Sequence, residues 1–364
     1  MKNLMKMLLV SLTALSFSVA NAGDLSITGD AKASYSITSS DGASGKIEQG
    51  KGLGVSNEFT LSASGELDNG MTWSYAQDID GATAQDDGKL TLTTGFGTLG
   101  VFISEGGLDT DNSASQSVIS RPSDTSYNEG MFDTFDLSGH NTIQYHTPAD
   151  LLPFGITAKL AYAPAASSAA SLNSYKASGS ANLGTFTAST AAFSSTTAPF
   201  GQTSIMGKTA THYQVKAAPI DGLTVGADYV DYDGVVNSTT QSPESGSYYA
   251  TYAAGPFSVG YSKNYTAFAI NAYSGDLTES VEGTKYSVAF NVNDNLSISY
   301  ENEESNPDNQ TATTANYTLE ATGIQAAYTM GGMTLAIAQN DFTNARYTDG
   351  LNVKDTVFSV ALAF

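Results

Sequence analysis

Alternation, more than composition, restricts what this chain can fold into. In residues 55–67 the odd positions are Val55, Asn57, Phe59, Leu61, Ala63, Gly65 and Leu67, and the even ones are Ser56, Glu58, Thr60, Ser62, Ser64 and Glu66. A period of two is that of a strand with one apolar and one polar face. Residues 285–292 and 296–302 repeat it, with Tyr286, Val288, Phe290, Val292, Leu296, Ile298 and Tyr300 on the apolar side. The last eleven residues, 354–364, place Phe358, Val360, Leu362 and Phe364 on one parity. An apolar face running to the final carboxylate needs a partner for the strand's edge, and in a closed barrel the first strand, near residues 24–38, is that partner.

The spacing of turns points the same way. Asp68-Asn69-Gly70, Phe96-Gly97-Thr98, Asp221-Gly222, Ala254-Gly255-Pro256, Asn293-Asp294-Asn295 and Met330-Gly331-Gly332 are tight-turn signals, because Gly and Asn accept positive φ. Longer polar connections, such as 39–51, 104–139, 195–208, 233–245, 305–313 and 341–353, lie between them. Short turns at one end and long loops at the other match a transmembrane barrel. A β-sandwich also alternates, but its inner faces carry bulky apolar residues, whereas these polar faces carry Ser, Thr, Lys and Glu. Eighteen segments are legible, including 140–147, 173–183, 185–194 and 256–265; the last strand is 354–364. The expected fold is all-β, a transmembrane antiparallel barrel of 16–18 strands.

At the start of the chain, Lys2 and Lys6 precede an apolar run from Met7 to Ala20, and Ala20 and Ala22 are small residues at the positions a signal peptidase reads. Residues 1–22 are therefore expected to be a secretory signal peptide, leaving 23–364 as the barrel. The leader removes two lysines from a chain of net charge −21, so the remainder carries −23, which argues against nucleic acid as a partner. With Cys 0 there are no disulfides, thiol chemistry or lipid-bearing cysteine.

One connection, 104–139, is longer than the rest, and a stretch of that size in a compact domain usually has a task. It holds Glu105, Asp109, Asp111, Asp124, Glu129, Asp133 and Asp136 with a single cation, Arg121. Tyr127, Met131, Phe132 and Phe135 are anchors suited to a wall. Folded inward, such a loop narrows a channel and places its carboxylates at the constriction. Parity puts Lys32, Lys89, Lys159, Lys176, Lys216 and Lys285 on the lumen wall, with Glu58, Glu66, Asp78, Asp228, Glu301 and Glu320. The lone Trp73 shares the parity of Tyr75 and Ile79 and reads as a lipid-facing belt residue.

The run from Gly52 through Asn57, Glu58, Leu67, Asp68, Asn69, Gly70 and Met71, then Gly95, Phe96, Gly97, Thr98 and Leu99 before the long loop, resembles the opening of the Gram-negative general porins. The leader and the terminal Phe364 match as well. The resemblance implies a trimer of sixteen-stranded barrels whose long third loop folds into the pore, and an outer-membrane location among lipid and lipopolysaccharide. It also implies that Phe358, Val360, Leu362 and Phe364 form the signal read by the outer-membrane assembly machinery. The chain departs from the family in lacking a Pro-Glu-Phe-Gly-Gly run in the loop and an arginine cluster, since Arg121 and Arg346 are its two arginines.

Chemistry of other kinds has little footing. His140 and His146 share a face but lack further ligands for zinc. Asp109, Asp111 and Asn112 are spaced like part of a calcium loop without its Gly and closing Glu, so a loosely held divalent cation is the one cofactor the loop could carry. No Gly-x-Ser-x-Gly elbow occurs and no enzyme is expected. The reading is a passive, cation-preferring diffusion channel for small hydrophilic solutes. The alternatives are a substrate-specific nutrient channel and a non-channel barrel or adhesin.

Overall fold

The computed structural model describes residues 25–41, 50–80, 87–103, 105–124, 130–164, 194–196, 203–205, 209–233, 241, 243–268, 278–309 and 316–363. The leader, Tyr127, Glu129, Lys176, Phe364 and the segment 173–183 lie outside these residues, as does the side chain of Glu58. The strands are β1 (Leu25–Asp41), β2 (Gly50–Glu66), β3 (Thr72–Asp80), β4 (Gly88–Thr94), β5 (Gly97–Ile103), β6 (Thr142–His146), β7 (Thr157–Ala163), β8 (Ser194–Thr196) and β9 (Thr203–Ile205). They continue with β10 (Thr209–Ile220), β11 (Leu223–Asp233), β12 (Glu244–Ala254), β13 (Phe257–Ala267), β14 (Thr278–Asn291), β15 (Leu296–Asn309), β16 (Leu319–Met330), β17 (Met333–Thr343) and β18 (Asn352–Ala363). Among the described residues no helix is long and apolar enough to cross a membrane.

Every strand but β8 and β9 joins one closed antiparallel barrel. Closure is made by β1, which pairs with β2 (Leu25↔Ala63) on one side and β18 (Asp30↔Ala363) on the other. The barrel has sixteen strands, with β7 paired directly to β10 through Ala163↔Ala210. Of the segments read from the sequence, 173–183 and 185–193 lie outside the described residues. Ser194–Thr196 instead pairs with Thr203–Ile205 in a separate two-stranded sheet, within a stretch read as a loop.

The tight connections are built as their sequences require: Gly70, Gly222, Gly255 and Gly331 have φ of 79°, 77°, 58° and 62°. The start of β1 at Leu25 and the end of β18 at Ala363 lie on this short-turn side. Outward faces are apolar and exposed, with Leu53 84%, Leu90 54%, Val215 48%, Ile324 65% and Leu335 41% exposed. In β18 Phe358, Val360 and Leu362 point outward as the alternation predicts, at 45%, 39% and 50% exposure. Trp73 lies on the outward parity of Tyr75, and its ring covers Gly65, where a Cβ would come within 2.7 Å of the indole nitrogen. A closed barrel with an apolar exterior satisfies its backbone internally and suits a bilayer.

The polar face is not polar throughout. Toward the long-loop end, Ala161, Ala163, Ala210, Val230 and Tyr232 point inward and bury Leu108 and Leu137 of the long loop, with Phe135 against them. A second cluster joins Phe132 of the loop to Leu319, Ala321, Phe342, Ala345, Leu351 and Val353. Val353 and Val357 already stand on the minority parity of the last strand, and they are the sequence trace of this inner apolar rim.

Candidate functional site

The loop between β5 and β6 lies inside the barrel, and its course can be followed bond by bond. It leaves β5 beside Lys89, which pairs with Glu105. Gln144 Nε2 donates to Gly106 O at 2.6 Å and Gln214 Nε2 to Leu108 O at 2.7 Å. Thr110 donates from its backbone N–H and its hydroxyl to Asp228 Oδ1, each at 2.8 Å, while the Ser247 hydroxyl donates to the same oxygen and His212 Nε2 lies 3.1 Å from Oδ2. Ser262 then donates to Asp111 O at 2.9 Å, Ser287 to Ala114 O at 2.8 Å, and the N–H of Val118 to Ser299 Oγ at 3.0 Å. Ser115 and Ser117 both donate to Glu301 Oε2, at 2.5 and 2.6 Å. Gln325 takes the Ile119 N–H at 2.9 Å and donates to Ser120 O at 2.5 Å. The loop has by then crossed the inner wall from β6 to β16.

Its return limb runs back across the same wall. Ser305 donates to Met131 O at 2.5 Å, and the Met131 N–H donates to the Tyr347 hydroxyl at 2.9 Å. Asn264, Ser245 and Tyr232 then donate to the carbonyls of Phe132, Phe135 and Asp136 at 2.7, 2.7 and 3.2 Å. The outgoing limb approaches the wall so closely at β13 that a Cβ on Gly260 would sit 1.7 Å from Ala114 O. Glycine is required there by space rather than by its φ.

The charged residues of the loop act mainly as fasteners. Arg121, 5% exposed, bonds Asp124 through Nε and Nη2 at 2.8 and 2.7 Å, Asp133 through Nη1 at 2.7 Å and the fully buried Glu303 at 3.1 Å. Glu303 also accepts the Ser123 N–H at 2.9 Å. Lys285, at 2% exposure, lies 2.6 Å from Asn112 Oδ1, 3.4 Å from Asp133, 3.7 Å from Asp111 and 3.9 Å from Glu303. Arg121 is held protonated because these carboxylates outweigh its burial. Burial pushes Asp133 up, but Lys285 and Arg121 more than reverse this and bring it to about 2. Burial pushes Asp111 up to about 6 despite Lys285, and burial with the charge of Asp136 does the same to Asp109.

This placement changes several expectations. Asp111 is 1% exposed and bonded by the Thr134 N–H at 2.9 Å, so it ties the two limbs together instead of facing the opening. Asp124 and Asp133 do present exposed carboxylates, with 43% and 47% of their side chains accessible. Lys285 is on the inner wall but under the loop, since a cation is needed between Asp111, Asp133 and Glu303. Lys32, Lys89, Lys159 and Lys216 are inward and half-buried. Glu320 is not in the lumen: it shares the outward parity of Ile324 and accepts the Asn302 Nδ2 at 2.6 Å. The calcium-like spacing of Asp109, Asp111 and Asn112 meets the ammonium of Lys285. Among the described residues no group of three His, Cys, Asp or Glu side chains is arranged to hold a metal.

Glu303, Gln325, Gln214 and Tyr347 were not singled out by pattern. Their only trace is inward parity combined with a long polar side chain, and for Tyr347 a turn between β17 and β18 where Asn344, Arg346 and Tyr347 have φ of 53°, 57° and 54°. The His212, Asp228 and Ser247 contact is no catalytic triad, because Ser247 bonds the carboxylate rather than the imidazole.

A closed sixteen-stranded barrel with its third long loop folded along the inner wall decides the architecture. The chain has the porin fold. The anion-selective porin from Comamonas acidovorans superposes with a TM-score of 0.64 at 12% identity, over 94% of this chain and all of that one. OmpT of Vibrio cholerae, expressed in the outer membrane, gives 0.60 at 10% identity over 96% of this chain and all of its own. A mutant of the Rh. blastica porin gives 0.53 at 13% identity, again over 94% of this chain and all of that one. No protein-family model and no curated protein sequence matches the chain. The likeness is carried by the porin architecture at identities where side chains have diverged.

Proposed function

We propose that this chain is an outer-membrane diffusion channel for small hydrophilic solutes and ions, with a preference for cations. The carrying observation is the loop pinned along the inner wall from β6 to β16, while Ser62, Ser74, Thr91, Thr93 and Thr98 of β2 to β5 stay accessible beside it. Nothing is transformed: solutes pass down their gradients, filtered by size and by the field of the constriction. Around the loop, Glu105, Asp109, Asp111, Asp124, Asp133, Asp136, Asp228, Glu301 and Glu303 stand against Arg121, Lys89 and Lys285. That excess favours cations.

The outer face supports a trimer. Exposed tyrosines, among them Tyr213, Tyr229, Tyr248, Tyr261, Tyr286, Tyr300 and Tyr328, line β10 to β16 and suit lipid headgroups and lipopolysaccharide. The arc from β17 through β18 to β2 presents Leu335, Ile337, Val360, Leu362, Leu53 and Val55, a face suited to neighbouring copies. The outward row Phe358, Val360 and Leu362 of β18 fits the role of an assembly signal.

Purified protein in planar bilayers tests the reading. Expected are stable ion-conducting steps and a reversal potential of cation-preferring sign in a potassium chloride gradient. Absence of steps removes the channel, and an anion-preferring potential removes the charge argument alone.

A further inference from the structure

Two neighbouring lysines of the inner wall differ from the two that the loop engages. Lys89 is paired with Glu105, and Lys285 is enclosed by Asp111, Asp133 and Glu303. Lys159 and Lys216, on β7 and β10, have no carboxylate within ion-pair distance among the described residues. The strand register shows why. Lys159 is opposite His146 on one side and Gln214 on the other, and Lys216 is opposite Thr157 and Gly226. None of these carries negative charge. The nearest inward acid along β11, Asp228, is taken up by Thr110, Ser247 and His212.

Lys216 stands two residues along β10 from Gln214, the partner of Lys159. The two lysines are therefore diagonal neighbours on one face, with Cα atoms about 7–8 Å apart. Both are half-buried in the wall on the short-turn side of the loop, below the point where Gln214 holds Leu108 O. The Lys216 stem and the Tyr249 ring pack over Gly226, where a Cβ would lie 3.2 Å from the lysine Cγ and 2.5 Å from the ring. The Lys216 ammonium lies 5.9 Å from the centre of that ring. His146 is occupied elsewhere: its Nε2 pairs with Gln144 Oε1 at 2.9 Å, and Gln144 is in turn fixed to the root of the loop.

Two like charges held side by side, without a counter-charge in a chain as acidic as this one, are satisfied by a ligand bearing two negative charges. We infer that Lys159 and Lys216 form a binding site for small dicarboxylates on the short-turn side of the constriction, with the inward Thr157 hydroxyl as a further donor. Two flexible ammonium heads on stems this far apart suit two carboxylates separated by a short chain, each accepting hydrogen bonds from one lysine. The site deepens the channel reading and rests on it. It gives a cation-preferring pore a second station of opposite sign, where a dicarboxylate lingers and obstructs the flow of other ions.

The test uses the full-length protein in planar bilayers with succinate added to either side in turn. Millimolar succinate should reduce the single-channel current from one side only. The double variant Lys159→Gln with Lys216→Gln should need at least tenfold more succinate, and Lys159→Arg with Lys216→Arg should keep the block. Acetate at equal concentration should block far less. Equal block of the wild type and the Gln variant, no block from either side, or equal block by acetate overturns the site. Calorimetric titration of succinate into the detergent-solubilised protein separates the two readings: binding lost only in the Gln variant supports the site even where no conducting steps are seen, whereas conducting steps without binding leave the channel and remove the site.

Discussion

Two arcs of the inner wall share one parity and one polar character yet do different things. On β14 to β16 the inward Lys285, Ser287, Ser299, Glu301, Glu303 and Gln325 are all 5% exposed or less, because each is engaged by the loop. On β2 to β5 the inward Ser62, Ser74, Thr91 and Thr98 remain half-exposed, and Thr93 is exposed. These hydroxyls bond across strands: Ser26 to Ser62 at 2.6 Å, Ser74 to Thr91 at 2.6 Å and Thr93 to Thr98 at 2.9 Å. What separates the arcs is the course of the loop: where it runs along the wall, serines, amides and charges alike bond its backbone and side chains, and where it does not, the short hydroxyls bond one another.

The sharpest way to break the comparison is to remove the cation that holds the tip of the loop. Arg121→Met leaves Glu303 fully buried beside Asp133 with one bond fewer, and breaking a buried pair by removing one partner destabilises by about 3–5 kcal/mol. The expected outcome is a loop that leaves the wall, seen as a larger and noisier single-channel conductance together with a lower unfolding temperature in detergent. Unchanged conductance would show that the apolar clusters at Phe132 and Leu108 hold the loop without the ion pairs. Gly260→Ala attacks the same adhesion by volume. Its new methyl meets Ala114 O, and overpacking of this kind costs about 1–3 kcal/mol. A modest loss of stability with a wider conductance distribution is expected, and a substitution with neither effect would mean that the loop backbone can move away freely.

These fasteners also mark how far the sequence could be read. Alternation and turn spacing were sufficient for the barrel and for its closure by the last strand; the inward position of the long loop came from its aromatic anchors and the porin resemblance. They left the strand number between 16 and 18, because 173–194 alternates like a barrel segment; the barrel has sixteen, with β7 paired directly to β10. Parity placed Lys285 inside but could not tell a water-facing lysine from one buried beneath a loop, since that depends on where another part of the chain lies. Glu320 was misplaced because one residue of register turns a side chain from lumen to exterior. Gly260 carries no local signal, and Glu303 only its inward parity.

A smaller effect follows from the carboxyls between the two limbs. Asp109 and Asp111 are pushed up to about 6 from the ordinary 3.8 of an exposed aspartate, so the folded protein binds more protons than the unfolded chain between those limits. Stability should therefore fall as pH rises through 6, by about 1 kcal/mol per group between pH 5 and 8. Asp133 has the opposite sign: held at about 2, it contributes above 3.8 and is lost only as pH falls toward 2. Unfolding temperatures should thus peak between about pH 3 and 4, where the gain from Asp133 ends and the loss from Asp109 and Asp111 begins, and Asp109→Asn should flatten the descending side. A midpoint that rises steadily to pH 8 would show that these two carboxyls are better solvated than their burial implies.

The bare arc supplies the smallest effect, and its smallness is the point. Ser74→Ala together with Thr91→Ala removes both partners of one hydrogen bond, so no donor is left buried and unmatched, and the net change should stay within about 1 kcal/mol. Neither side chain touches the loop, so conductance and ion preference should match the wild type within error. The same pair of truncations on the covered arc, Ser287→Ala with Ser299→Ala, leaves Ala114 O and the N–H groups of Gln116 and Val118 without their partners under the loop. It should lower the unfolding temperature several times more. Equal losses in the two double variants would mean that the wall hydroxyls contribute through the strands alone and that the loop is held by its charges and apolar ends.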